Sequence, residues 1–544
     1  MKKKEKITLL AIIVLASVLR FFGLASTPPS LYWDEASLGY NAYSILTTGR
    51  DEHGEFLPIA RFIAFGDYKP PGYIYATVPS IALFGLNEFA VRFPSALAGT
   101  LTVLVTYFLV KELFTINKTI KQFNNIAIAA LAALLLAISP WHIQFSRAAF
   151  EANLATFLSI AGVYLFMKGM KNGKFLVLSF ILFAFSMYTF NTHRIFVPLL
   201  VLGLAAIYRS QLFAQKRWTV VAIVLGIALV VPQIPFLLSR EGRLRFEEVT
   251  IFKNLDPVVT ANERIARDNN AWWSRILHNR RVQFSLEFAK HYADHFRADF
   301  LFVSGDGNPR LGTRDQGIFY PTELPLILAG IYFLIRKKHP AAIILFFWWL
   351  VGVIPAATAR ETPHALRTLN VLPVPQIIAS VGAIALYQIV KKKRLYLIVL
   401  SISYVLFATS YLHTYFVHYP DKWAGSWQYG YKQMINRVSQ MQGDYDQVFI
   451  TNKYGRPYIY LLFYQGFDPR LFWTTRVAQR DWYGFWTVES FDRYRFGGIP
   501  DKSSSQNQKW LIVAAPTELP KEAKRLELVY FPDGEVAFEI GELQ

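Results

Sequence analysis

The stretch Tyr32-Trp33-Asp34-Glu35-Ala36-Ser37 sets two adjacent carboxylates behind an aromatic pair. A carboxylate so placed can act as general base on a hydroxyl or amine, or coordinate a cation. Spacing alone favours the plainer reading, an exposed acidic loop, because neighbouring acids are common on surfaces. Further on comes Gly66-Asp67-Tyr68-Lys69-Pro70-Pro71-Gly72. Pro70 and Pro71 stiffen the turn and start the following helix, which puts the Lys69 ammonium just ahead of that helix. An ammonium there suits a phosphate. A lysine that snorkels to anchor its helix accounts for it equally well.

Other charged groups lie in short loops beside apolar runs. Arg147 and Glu151 are four residues apart, so on a helix they share a face. They make either a helix-start ion pair or a second acidic group entering the site of Asp34. Asn191-Thr192-His193-Arg194 forms one whole turn, and Arg360-Glu361-Thr362-Pro363-His364-Ala365-Leu366-Arg367 another. Arginine beside apolar segments calls for an anion. Phosphate suits the guanidinium fork, and Glu361 or Asp34 would serve as an internal partner. The weaker signals are a formal glycosylation sequon at Asn117-Lys118-Thr119, scattered His278, His291 and His295 that form no metal set, and Gly305-Asp306-Gly307-Asn308, which reads as a turn.

The elements that must position these groups are apolar helices. Of 544 residues, 53% are hydrophobic and only 17% charged, against about 25% charged in a soluble globular chain. Long uncharged runs recur, with the length needed to cross a hydrocarbon core. About eleven spans are predicted, at 7–24, 93–110, 125–141, 154–167, 175–190, 195–208, 218–238, 321–335, 340–357, 369–390 and 395–416. Their repetition excludes a cleaved signal peptide as the explanation. The net charge of +19 would suggest nucleic acid in a soluble protein. Here the basic residues cluster in alternate short loops, as orientation signals do, and no nucleic-acid partner is expected. The absence of cysteine excludes disulfides, iron–sulfur clusters and cysteine-ligated zinc.

Loop charge sets the topology. Lys2, Lys3, Lys4 and Lys6, then Lys111, Lys118 and Lys121, Lys168, Lys171 and Lys174, Arg209, Lys216 and Arg217, Arg336, Lys337 and Lys338, and Lys391 to Arg394 fall on one side. The positive-inside rule makes that side cytoplasmic, with the amino terminus. The opposite short loops carry Arg147, Arg194, Arg360 and Arg367. Residues 25–92, 239–320 and 417–544 are then outside, in a protein of the cytoplasmic membrane. The apolar stretch 72–86 would invert every later loop if it spanned, so it is read as an interfacial or re-entrant helix. The fold class expected is an α-helical multi-pass membrane domain over 1–416 plus a small extracytoplasmic α/β domain over 417–544. In the latter, the runs at Val448 and Trp510 read as buried strands, the segment at 457–464 as a helix, and Asp533-Gly534 as a hairpin turn.

Asp34-Glu35, Lys69-Pro70-Pro71 and the run from Phe84 to Ala96 (FGLNEFAVRFPSA) together resemble the GT-C fold glycosyltransferases, in the branch of the protein O-mannosyltransferases and aminoarabinose (lipid A) transferases. The resemblance is specific over about residues 30–200 and mainly topological over 200–416. It implies an inverting glycosyltransferase with a polyprenyl- or dolichyl-phosphate sugar as donor, working on the non-cytoplasmic face. Asp34 matches the general base, Glu35 is its catalytic neighbour, and Lys69 matches the lysine on the donor phosphate. Glu151 takes the place of the second acidic residue. Arg147, His193, Arg194, Arg360, His364 and Arg367 are candidate substrate or phosphate contacts by loop position. No cofactor is required, although Asp34 and Glu151 could support a divalent metal ion as in some relatives. The acceptor is a lipid, protein or glycan. The competing reading is a transporter or flippase of lipid-linked sugars, in which the same cations bind phosphate without chemistry.

Overall fold

The computed structural model describes residues 2–65, 67–115, 125–480, 486–499 and 508–543. Lys118, Lys121, the Asn117-Lys118-Thr119 sequon and Gly66 lie outside them. The chain separates into two compact units. Unit one comprises Met1–Leu19, Ala98–Phe145 and Glu151–Tyr411, and unit two Arg20–Leu97, Ser146–Phe150 and Leu412–Gln544.

The first eleven helices are α1 (Lys3–Phe21), α2 (Trp33–Thr48), α3 (Gly72–Phe84), α4 (Glu88–Thr115), α5 (Asn125–Ile138), α6 (Pro140–Arg147), α7 (Glu151–Gly169), α8 (Lys174–Thr189), α9 (His193–Ile207), α10 (Arg209–Ala214) and α11 (Lys216–Val230). Among the described residues, four helical segments are long and apolar enough to cross a membrane: Glu88–Phe114, Glu151–Gly169, Lys216–Leu238 and Lys393–Lys422. The α5–α6 pair would be a fifth. Shorter apolar helices include α3, α8, α9, Ala341–Ala357 and Val374–Ile389.

Two local readings need correction. The segment 125–141 is not one straight element: α5 and α6 meet at a 57° bend. Pro140 has no N–H to continue the first ladder, yet its fixed φ suits the first position of the second helix. Arg147 and Glu151 do not share a helix face either. Arg147 ends α6, Glu151 starts α7, and residues 148–150 between them are not helical.

In unit one, the 239–320 segment folds into short helices, among them Arg240–Val249, Asp256–Arg267 and Arg280–Asp294. The loop at 358–367 is laid against them. Thr250 bridges Ala359, and the Ile251 N–H donates to the Thr358 carbonyl at 3.0 Å.

Unit two holds two sheets. The hairpin β1 (Phe62–Ala64) and β2 (Asp67–Lys69) pairs Phe62 with Lys69. The other strands are β3 (Gln447–Thr451), β4 (Val477–Arg480), β5 (Trp486–Phe491), β6 (Tyr494–Gly497), β7 (Trp510–Ala514), β8 (Lys524–Tyr530) and β9 (Val536–Leu543). They form one mixed sheet in the order β4-β5-β6-β3-β7-β9-β8, with β3 parallel to both β6 and β7. The fully buried run of β7 fits a strand covered on both faces. Gly534 supplies the positive φ of the β8–β9 turn.

The helix Pro457–Gln465 belongs to the same unit and packs closely on α2. A Cβ at Gly39 of α2 would lie 2.5 Å from the Phe463 ring, so only glycine permits this approach. A polar core fixes the far end of α2. Fully buried Glu52 accepts from Asn41 Nδ2 at 2.9 Å and from the Tyr458 hydroxyl at 3.2 Å.

Candidate active site

Asp34 and Glu35 lie in the first turn of α2, where the helix dipole favours negative charge. Their environments diverge. The Asp34 carboxylate is 2.7 Å from Lys69 Nζ, and its side chain stays 25% exposed while that of Lys69 is 8% exposed. Lys69 is carried to this point by the β1–β2 hairpin, and Pro70-Pro71 then turn the chain into α3. An accessible carboxylate and a rigidly held ammonium thus share one spot.

Glu35 points the other way and is fully buried. Its Oε1 accepts from Arg92 Nε at 2.9 Å and from the Ala149 N–H at 2.8 Å. Its Oε2 accepts from Arg92 Nη2 at 3.0 Å and from the Tyr32 N–H at 3.3 Å. The last contact is the reach-back half of a capping box, which fixes the start of α2. Arg92, also fully buried, spends its remaining donors on the carbonyls of Leu24 (3.1 Å), Pro28 (2.8 Å) and Ser30 (2.6 Å). Glu35 was expected beside Asp34 in catalysis. Its lone pairs are instead committed to the frame that aims Asp34.

Breaking a buried, bidentate pair leaves an uncompensated charge and costs about 3–5 kcal/mol. Arg92→Met and Glu35→Gln are each expected to destabilise unit two by that order. The double variant is expected to cost less than the sum, because the second change removes the orphan left by the first. Thermal unfolding of the purified proteins checks both statements.

Arg147, expected to meet phosphate, is built into the same frame. It is fully buried and donates to the carbonyls of Gly23 (3.2 Å) and Thr27 (2.9 Å), and its guanidinium lies over Phe416 at 4.7 Å. Gln428 is a positioning residue that no sequence signal marked. Its Oε1 accepts from the Trp33 N–H at 2.9 Å and from the Tyr460 hydroxyl at 2.6 Å, and its Nε2 donates to the Tyr454 carbonyl. The Trp33 ring lies against Gly455, where φ is +112° and a Cβ would come within 2.7 Å of that ring. Arg92 carried a readable signal, since it is an arginine set inside an otherwise apolar run.

In unit one, the structure gathers Arg360, His364 and Arg367 on the single loop after helix Ala341–Ala357. Arg360 is anchored through its N–H to the Val249 carbonyl (2.9 Å) and through Nε to the Thr250 carbonyl (3.1 Å), while the residue remains exposed. Two groups set the loop's course. Asp306 makes the expected turn by accepting from the Asn308 N–H at 2.8 Å, and its other oxygen accepts from the Ala365 N–H at 2.7 Å. His295 Nδ1 donates to the His291 carbonyl at 2.8 Å, and its Nε2 accepts from the His364 N–H at 3.2 Å.

That last bond requires a neutral imidazole. Burial lowers the His295 pKa to about 4, from an ordinary 6.5. Below pH 6.5 His295 binds a proton in the unfolded chain that it refuses in the folded one, so stability is lost as pH falls from 6.5 towards 4, by up to about 3 kcal/mol. The protection factors of the amides at 364 and 365, taken relative to the intrinsic exchange rate at each pH, are expected to fall over that window.

Two further candidates in unit one, His193 and Arg194, sit at the start of α9 instead. His193 is buried, with its ring against Phe190 and Phe196. Arg194 donates through Nε to the Met187 carbonyl at 3.3 Å. Glu151 opens α7 as its first residue.

A divalent metal does not fit the groups present. Among the described residues, no three of His, Cys, Asp or Glu come together. The Lys69 ammonium sits against Asp34, where a metal would have to approach.

Residues 68–236 match the family model described as dolichyl-phosphate-mannose-protein mannosyltransferase. No curated protein sequence matches the chain. Among solved structures, ArnT from Cupriavidus metallidurans in the apo state is similar with a TM-score of 0.56 at 12% identity, over 98% of this chain and 97% of that one. ArnT bound to undecaprenyl phosphate gives a TM-score of 0.54 with the same coverage. The apo oligosaccharyltransferase of Archaeoglobus fulgidus gives 0.51 at 11% identity, over 99% of this chain and 74% of that one. These likenesses establish the GT-C fold expected from the sequence.

Proposed function

We propose that this glycosyltransferase of GT-C fold moves a monosaccharide from a polyprenyl-phosphate carrier to an acceptor on the non-cytoplasmic face of the membrane, with inversion at the anomeric carbon. The observation that carries the reading is the Asp34–Lys69 pair, 2.7 Å apart, with the carboxylate accessible and the ammonium nearly enclosed. The mannosyltransferase match over 68–236, which includes Lys69, supports it. So does the similarity to ArnT, which has been solved bound to undecaprenyl phosphate.

The chemistry needs two functions. Asp34 takes the proton of the acceptor hydroxyl or amine as that atom attacks the anomeric carbon. The bond from that carbon to the phosphate oxygen breaks on the opposite face, and the carrier leaves as polyprenyl phosphate. Negative charge grows on the departing phosphate, and a fixed ammonium beside it lowers the barrier. Lys69 has three N–H donors and can serve the phosphate while still touching Asp34. Glu35 and Arg92 act through position: they fix the turn from which Asp34 projects. Arg360, His364 and Arg367 are assigned to the carrier phosphate by their loop position, and Glu151 to substrate binding. No step is routed through a metal ion.

The proposed topology keeps the eleven spans, the cytoplasmic amino terminus and the outward placement of 25–92, 239–320 and 417–544. The test is a transfer assay with purified protein in lipid and a panel of polyprenyl-phosphate monosaccharides. Release of polyprenyl phosphate with one donor and an added acceptor is expected. Binding of every carrier with cleavage of none would instead favour the transporter reading.

A further inference from the structure

Helices α8, α9 and α11 enclose a cleft of about 260 Å³ in unit one. Every lining residue is apolar, including Phe183, Met187, Val197, Val201, Ile227 and Ile234. Arg194 marks one end. It lies three, four and seven residues before Val197, Pro198 and Val201, so it stands on the cleft face of α9. Its Nε donates to the carbonyl of cleft-lining Met187 at 3.3 Å, and its guanidinium is 5.9 Å from the Phe236 ring, two residues past Ile234. Its Nη2 is buried without a hydrogen-bond partner. Among the described residues, no carboxylate pairs with Arg194. A desolvated cation with an unfilled donor, above an apolar slot on a membrane helix, calls for an anion that carries a hydrocarbon chain.

We propose that this cleft is a binding site for a membrane phospholipid, with the phosphate on Arg194 and one acyl chain between α8, α9 and α11. A guanidinium fork suits phosphate oxygens. The apolar lining offers the chain no polar group. The lipid comes from the leaflet beside the Asn191–Arg194 turn, which is the outer leaflet in the proposed topology. A reacting carrier is disfavoured as occupant because no carboxylate or hydroxyl lines the cleft, so whatever lies there is held and not consumed. The site depends on that topology for its leaflet and not on the transfer chemistry.

Native mass spectrometry of the purified full chain with added phosphatidylglycerol tests the site. Wild type is expected to retain one lipid. Arg194→Gln is expected to lower retention about tenfold or more, the size of one charge-assisted hydrogen bond. Ile227→Trp fills the cleft from a residue that is 60% exposed and therefore spares the packing. It is expected to lower retention as strongly, whereas Lys69→Met should not change it. Inorganic phosphate should not compete, and diacylglycerol should not bind. Equal retention by wild type and both cleft variants overturns the proposal. So does displacement of the phospholipid by stoichiometric polyprenyl phosphate, which would make the cleft a carrier site. Loss of transfer activity in every preparation would sink the transferase reading and leave this test intact.

Discussion

Asp34→Asn is expected to abolish sugar transfer, lowering kcat by about 10³-fold, within the range that general-base catalysis supplies. Asparagine keeps the size of the side chain, and the Glu35–Arg92 frame that holds the turn is untouched. What disappears is the acceptor for the proton. The same change frees Lys69 from its counter-ion, now at 2.7 Å, so the donor phosphate should bind at least as well as in wild type. The signature is therefore a collapse of kcat with KM for the donor unchanged or lowered. Such a split separates the role from misfolding, which would reduce active enzyme without lowering KM. Rates of polyprenyl phosphate release at varied donor concentration provide the check. An unchanged kcat would remove Asp34 from the mechanism.

Lys69→Met should produce the complementary pattern. Methionine keeps an apolar stem of comparable reach in a position that is nearly enclosed. The lost ammonium costs stabilisation of the charge that grows on the leaving phosphate. Removing one such electrostatic donor typically lowers the rate by about 10²–10³-fold. Because the ground-state phosphate is also charged, KM for the donor should rise together with the fall in kcat, unlike the Asp34 variant. The double variant Asp34→Asn, Lys69→Met should fall little below Asp34→Asn alone if the two groups act in one step. If the losses multiply instead, the groups act independently and the shared-site mechanism is wrong.

These expectations rest on an arrangement only partly legible in the sequence. The helices were readable, since an uncharged run of membrane-crossing length has few alternatives in a chain this apolar. The Pro457–Gln465 helix, the strands at Gln447–Thr451 and Trp510–Ala514 and the Asp-Gly hairpin carry their signals within their own residues. Strands β4, β5 and β6 carry no comparable local signal, and they were not anticipated. Asp34 and Lys69 were identified by motif, and the two lie 35 positions apart (69 − 34), with Lys69 carried on the hairpin that ends this segment.

The division of labour between the two acids was beyond the sequence. Asp34 and Glu35 are adjacent and chemically alike, and nothing local says which will be buried. Arg92 decided it from 57 residues away, with Ala149 from 114, by saturating the Glu35 oxygens and leaving Asp34 accessible. Gln428 reaches Trp33 across 395 residues, and Asp306 fixes Ala365 across 59. Arg147 was a candidate phosphate contact by loop position, yet tertiary contacts commit it to two backbone carbonyls. The sequence by itself determined residue chemistry and where the apolar helices lie, because these depend on local composition. The tertiary structure decided which charges remain accessible, because burial and pairing depend on partners that local periodicity does not encode.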